Sequence, residues 1–197
     1  LPDQIPLPLK RALEAKGYAE LTPVQSAMLE PDTAGADLLV SAQTGSGKTV
    51  AFGMAIADTL LAGKDTLGMA VQPMALVVAP TRELALQVRR ELEWLYADAG
   101  AKMASCVGGM EMRKEIRALQ QGAHIVVGTP GRLRDHITRG SLDLEGLRAV
   151  VLDEADEMLD LGFREDLEFI LDASPKERRT LMFSATVPAQ IGKMAAK

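Results

Sequence analysis

A chain of 197 residues with 47% hydrophobic and 25% charged side chains has the composition of an ordinary globular protein, and a domain of this size buries about 70% of its unfolded surface. Disordered and fibrous classes are thereby excluded. With 27 acidic against 22 basic residues the net charge is −5, so no global basic field draws in nucleic acid, and any such site must be local, built from backbone amides and a few arginines.

The single Cys106 excludes an internal disulfide and a cysteine-rich zinc site, and points to a reducing, cytoplasmic setting. No apolar run approaches the roughly 18 residues of a membrane span, and Asp3 interrupts the N-terminus before any signal-peptide-like stretch. His124 and His136 share no ligand spacing and read as ordinary surface or core histidines.

In chain order, Leu9, Ala12 and Leu13 recur at helical spacing within Leu7 to Lys16, and Gly17 supplies a stop. The Thr-Pro pair that follows predicts a helix start, with Thr22 as N-cap and Pro23 at the first helical position. Gln25 falls in that first turn. Its amide both donates and accepts, as reading an adenine edge requires, although a glutamine at a helix start is also often just solvated.

The stretch LLVSAQTGSGKTVAF, Leu38 to Phe52, breaks from an apolar strand into a glycine-rich loop and enters a helix. Gly45 and Gly47 let the backbone wrap an anion with its N–H groups inward, and the helix adds the positive end of its dipole. In the pattern G-x-x-x-x-G-K-[ST] the lysine, here Lys48, neutralises the β- and γ-phosphates and the hydroxyl, here Thr49, ligates Mg²⁺. Ala42 replaces the first glycine.

From there short β-rich runs alternate with charged helical stretches: Ala75 to Ala79, Met103 to Val107, His124 to Gly128, Ala149 to Asp153 and Thr180 to Ser184. This βα alternation with nearly continuous apolar strands predicts an α/β fold, a mostly parallel sheet with helices on both faces. Gly63 to Pro73 reads as a surface loop. Ligands bind outside the carboxyl ends of such strands, and those ends read SAQTGSGKT, APTRELA, GGM, GTPGR, DEAD and SAT. In VVLDEAD, Asp153 is placed to hold Mg²⁺ through water and Glu154 to polarise an attacking water, a metal-plus-base pair for phosphoryl transfer. A charged helix start is the alternative. Glu157, Asp160, Glu165, Asp166 and Glu168 read as a solvated face.

Over its whole length the chain resembles the N-terminal RecA-like domain of a DEAD-box ATP-dependent RNA helicase, a P-loop NTPase fold. Gly17, Tyr18, Thr22, Pro23 and Gln25 resemble the Q motif, Ala42 to Thr49 motif I, Pro80 to Ala85 motif Ia, and Gly108 and Gly109 the GG motif. Thr129 to Arg132 resemble motif Ib, Asp153 to Asp156 motif II and Ser184 to Thr186 motif III. Leu21 stands where the family commonly has proline. The family's upstream aromatic would fall close to or before Leu1, which leaves Tyr18 as the nearby aromatic for the base.

The resemblance implies ATP and Mg²⁺ as cofactors. Tyr18, Gln25, Thr44, Gly45, Ser46, Gly47, Lys48 and Thr49 are then expected on the nucleotide, Thr49 and Asp153 on the metal, and Lys48, Asp153 and Glu154 at hydrolysis. Asp156 with Ser184 and Thr186 is expected to couple nucleotide state to RNA. Pro80, Thr81, Arg82, Gly109, Thr129 and Arg132 are expected on the RNA sugar-phosphate backbone, which carries no sequence information. Thr129 with Pro130 as a simple helix cap, and Arg82 paired with Glu83 or Glu91, are the alternatives. The expected organisation is one domain over residues 1–197. The family's second RecA-like domain, its partner in the RNA and ATP sites, is expected to lie outside this chain.

Overall fold

Each apolar run becomes a short strand in the computed structural model, which describes residues 1–43, 45–187 and 189–195. The strands are β1 Leu38–Ser41, β2 Ala75–Val78, β3 Met103–Cys106, β4 Ile125–Gly128, β5 Ala149–Leu152 and β6 Arg179–Ser184. They join in the order β1-β6-β5-β2-β4-β3, and every pairing is parallel. The expected mostly parallel sheet is thus wholly parallel among the described residues. Parallel neighbours cannot be joined by a tight hairpin, so the chain must cross over between strands, and here it does so with helices.

Those helices are α1 Leu7–Ala15, α2 Pro23–Ala27, α3 Lys48–Leu61, α4 Arg82–Leu95, α5 Met112–Gln120, α6 Pro130–Arg139, α7 Ala155–Asp160, α8 Arg164–Ala173 and α9 Ala189–Ala195. Because side chains alternate across a strand, the sheet builds two cores. Ala75, Val77, Ile125, Val127, Val151 and Phe183 face α1, α3 and α4. Leu76, Val78, Val126, Val150, Leu152 and Met182 face Leu133 of α6, Met158 of α7, and Leu167 and Ile170 of α8.

Helix α3 buries nearly its whole circumference, from Lys48 to Leu61, as expected of a helix apolar all round. Phe52 meets Phe183 edge-on at 5.5 Å, and the Tyr96 hydroxyl donates to Gly53 O at 2.6 Å. Helix α4 is amphipathic instead and buries Ala85, Val88, Leu92 and Leu95. The segment from Gly63 to Pro73 is a loop as expected. His124 pins it: Lys102 N–H donates to Nδ1 at 2.9 Å, so Nε2 carries the proton and meets Gly68 O at 3.0 Å. Among the described residues no helix is long and apolar enough to cross a membrane.

Strand order sorts the motifs along one edge. The carboxyl ends of β1, β6 and β5 carry the glycine loop, Ser184 to Thr186 and Asp153 to Asp156, while those of β2, β4 and β3 carry Pro80 to Arg82, Thr129 to Arg132 and Gly108 to Gly109.

Candidate functional site

The glycine loop turns because Gly45 and Gly47 take the left-handed region, φ 84° and 78°. Gly47 also caps α3, and a Cβ there would overlap Gln25 Nε2. Thr44 lies outside the described residues. Ser46 Oγ donates within the loop to Gln43 O at 2.6 Å. Helix α2 clasps the loop from the side: the Thr22 hydroxyl donates to Ser46 O at 2.9 Å, and Gln25 Nε2 donates to Gly47 O at 3.1 Å. The expected N-cap at Thr22 is a full capping box, in which Thr22 accepts from Gln25 N–H and Gln25 Oε1 accepts from Thr22 N–H. Gln25 is only 1% exposed, so its first task is to strap the loop. Tyr18 packs its ring against Trp94 at 5.9 Å, so that face serves the packing of α4.

Across the loop, Lys48 Nζ lies 2.9 Å from Asp153 Oδ1 and 3.2 Å from Glu154 Oε2. Lys48 and Asp153 are buried, whereas the Glu154 side chain is 28% exposed. Lys48 is the ion-pair partner of the Asp153 carboxylate, which among the described residues makes no well-aligned hydrogen bond with either oxygen. Burial pushes the Asp153 carboxyl above its ordinary value, and the Lys48 ammonium pulls back. Glu154 holds a left-handed backbone, φ 51°, a strained conformation for a residue with a side chain and one that collects at functional sites.

Motifs from β5 and β6 meet directly. Asp156 Oδ2 accepts from Thr186 N–H at 3.1 Å and from the Thr186 hydroxyl at 3.0 Å, and the Ser184 hydroxyl donates to Thr186 O. Burial alone would raise the Asp156 carboxyl, but hydrogen bonds from Thr186 and Ser184 hold it below its ordinary value.

On the other half of the edge, Thr81 is the N-cap of α4 and accepts from Leu84 N–H at 3.2 Å. Thr81 and Arg82 are exposed, while Pro80 is buried and so shapes the turn. Arg82 donates to Met110 Sδ at 3.6 Å. Its guanidinium would sit 2.7 Å from a Cβ on Gly109, whose φ is 85°. Thr129 occupies the N-cap position of α6 with Pro130 behind it, yet its side chain makes no capping bond. Arg132 donates to Met110 O at 3.0 Å. Two arginines therefore flank the turn at Gly109, a local basic spot on an acidic chain.

Sequence reasoning placed these residues at one edge but did not find Glu115, Met110 or His136 as neighbours of the arginines. The signal that existed was spacing: His136 follows Arg132 by four residues, the same face of a helix. Among the described residues no group of three or more histidine, cysteine or carboxylate side chains forms a ready metal cage. A cavity of about 360 Å³ lined by Asp3, Lys10, Asp58 and Lys64 lies at the far end of α3, about 20 Å from Lys48, and contains none of these residues.

Comparison with known proteins agrees with this geometry. A family model described as DEAD/DEAH box helicase matches residues 22–194. The DEAD-box ATP-dependent RNA helicase CshA of Geobacillus kaustophilus is 47% identical over 187 residues, 95% of this chain and 39% of the relative. DEAD-box ATP-dependent RNA helicase 9 of Oryza sativa subsp. japonica is 46% identical over 94% of this chain and 29% of its own length. The crystal structure of a DEAD box protein from the hyperthermophile Methanococcus jannaschii superposes with a TM-score of 0.84 at 38% identity, covering 100% of this chain and 51% of that one. The chain thus spans about two fifths of the length of the Geobacillus relative. With that family model matched over residues 22–194, the chain belongs to the DEAD/DEAH box helicase family.

Proposed function

We propose that this chain is the ATP-binding, N-terminal RecA-like part of an ATP-dependent RNA helicase, one that uses ATP binding and hydrolysis to separate short RNA duplexes or remodel RNA–protein complexes. The observation that carries this reading is the buried cluster of Lys48, Asp153 and Glu154 beside a glycine loop at the carboxyl edge of the sheet. Lys48 neutralises the β- and γ-phosphates, the amides of Gly45 to Thr49 cradle them, and Gln25 keeps one amide N–H and one oxygen lone pair for the adenine edge. At 1% exposure Gln25 meets a base only when the loop opens around it.

The donor set fits Mg²⁺. Asp153 offers two buried oxygens without well-aligned hydrogen bonds, Thr49 offers a hydroxyl, and hard oxygen donors suit this cation. When bound, Mg²⁺ supplies positive charge to the phosphates. Glu154, partly open to solvent, takes the proton of the attacking water. Asp156, Ser184 and Thr186 link the carboxylate strand to the neighbouring strand and so pass nucleotide state along the edge. Thr81, Arg82, Gly109, Thr129 and Arg132 hold the RNA backbone, with 2′-hydroxyl contacts distinguishing it from DNA.

A second RecA-like domain completes both sites in the longer protein, and the reducing cytoplasm is its setting. The chain alone accordingly turns ATP over slowly and does not unwind, because an arginine finger from the other half is worth about 10³ to 10⁵ in rate. The test is Glu154→Gln in the protein carrying both halves. ATP affinity should hold while RNA-stimulated hydrolysis falls by about 10² to 10⁴. Turnover near the wild-type rate would remove Glu154 as the base.

A further inference from the structure

One carboxylate not used by the nucleotide chemistry sits under the proposed RNA surface. Glu115, in the first turn of α5, is 4% exposed, and His136 of α6 is completely buried. Glu115 Oε2 accepts from Val107 N–H at 2.8 Å, and Oε1 lies 2.8 Å from His136 Nε2 and 3.7 Å from Arg132 Nε. An ionised carboxylate only accepts, so His136 Nε2 carries a proton. The far ring nitrogen, Nδ1, meets the Ser141 hydroxyl at 2.7 Å, and that hydroxyl also reaches His136 O at 3.2 Å. The imidazole is therefore held at both ends.

What this carboxylate holds is decided by the edge of the sheet. Among the described residues strand β3 pairs only with β4, so a buried N–H just past its end has no strand on the outer side to accept it and would be costly unpaired. Val107 is that residue, and Glu115 is its acceptor. Val107 leads straight into Gly108 and Gly109. Arg132 reaches the same turn from α6 through Met110 O, and its Nη1 also meets Met112 Sδ at 3.7 Å. One buried carboxylate thus ties the turn to the arginine.

We propose that Glu115, oriented by His136, is a positioning residue for RNA binding. It fixes the Val107–Gly109 turn and the Arg132 guanidinium in one arrangement before RNA arrives. This rests on the reading of Gly109 and Arg132 as RNA contacts. It makes an unusual prediction of sign. A negative charge near a polyanion site ordinarily weakens binding, so removing it should help if Glu115 were only a charge; a positioning residue loses affinity instead.

The experiment uses the protein carrying both halves and a labelled single-stranded RNA oligonucleotide at low salt, with ADP affinity measured on the same samples. Glu115→Gln keeps size and an acceptor for Val107 N–H but drops the pull on Arg132. It should raise the RNA dissociation constant about threefold, and Glu115→Ala about tenfold or more, both with ADP affinity within about twofold of wild type. The Val107 amide proton resonance should move upfield in Glu115→Ala. Arg132→Ala is the reference, and the double variant Glu115→Ala/Arg132→Ala should lose less than the sum of the two. If Arg132→Ala weakens RNA but neither Glu115 variant does, or if Glu115→Gln tightens it, the positioning role is wrong while the RNA surface stands. If Arg132→Ala itself leaves RNA binding unchanged, the RNA surface reading falls, and the role of Glu115 with it.

Discussion

At the scale of single residues, the two halves of the carboxyl edge use carboxylates in opposite ways. Asp153 is buried beside one ammonium, and its raised pKa means that holding it ionised costs the folded state stability as pH rises above its ordinary value. A cation bound there, as proposed, would offset that cost, as expected where function and stability compete. Asp156 is the reverse case. Despite burial, hydrogen bonds from Thr186 and Ser184 hold its carboxyl below the ordinary value of 3.8. A depressed folded value contributes stability that is present above the unfolded value and lost as pH falls through the folded one. Asp156→Asn should therefore melt below wild type at pH 7, and the gap should begin to close as pH falls below the ordinary carboxyl value of 3.8 and go on closing as it passes the lower folded value. Thermal melts from pH 7 to pH 3 check this. A gap that does not change with pH would show that the Asp156–Thr186 bonds need no charge.

Secondary-structure elements were largely legible, and the reasons are physical. The central strands stand out because a parallel sheet covered on both faces needs runs such as ALVV and IVVG that are buried at every position. Their observed limits fall within about a residue of the sequence reading. The start of α2 was legible because Thr22 and Pro23 are local signals. Contacts between elements were not. Gln25 reads as a nucleobase contact in one dimension, but only the fold brings Gly47 O to its amide, 22 residues away. Tyr18 reads as a stacking partner, and only the fold shows that Trp94 packs against one side of its ring.

Helix ends offer a test of the same local chemistry. Helix α3 ends at Ala62, an exposed non-glycine residue at φ 51° whose N–H donates to Asp58 O. Left-handed geometry costs an L-residue about 1–2 kcal/mol, against about 0.5–1 kcal/mol for the added chain entropy of glycine. Ala62→Gly should therefore stabilise the protein by about 0.5 kcal/mol in urea unfolding. Destabilisation would mean that the side chain contributes more than the strain costs.

At the scale of the whole molecule, strand order does what motif order cannot. In sequence the three arginine-flanked turns separate the glycine loop from the acidic strand. In space, β1, β6 and β5 gather the phosphate and carboxylate chemistry, while β2, β4 and β3 gather the arginine-flanked turns. The boundary runs between β5 and β2, which are neighbours in the sheet. A change at Asp156 is thus one strand from Thr81, short enough for the proposed nucleotide and RNA sites to sense each other through packed elements. Legibility stopped at this level because pairing order depends on contacts far apart in sequence, such as Lys48 with Asp153.

Calorimetry with Mg²⁺·ADP on the chain and on Lys48→Gln tests most directly whether the Lys48–Asp153 contact marks a nucleotide site. Glutamine keeps a donor near Asp153, so the variant should stay folded by circular dichroism, but it removes the fixed cation. Wild type should bind measurably, and the variant should lose about tenfold to a hundredfold in affinity. Equal affinity in the two folded proteins, or no binding by either, would contradict a nucleotide site there.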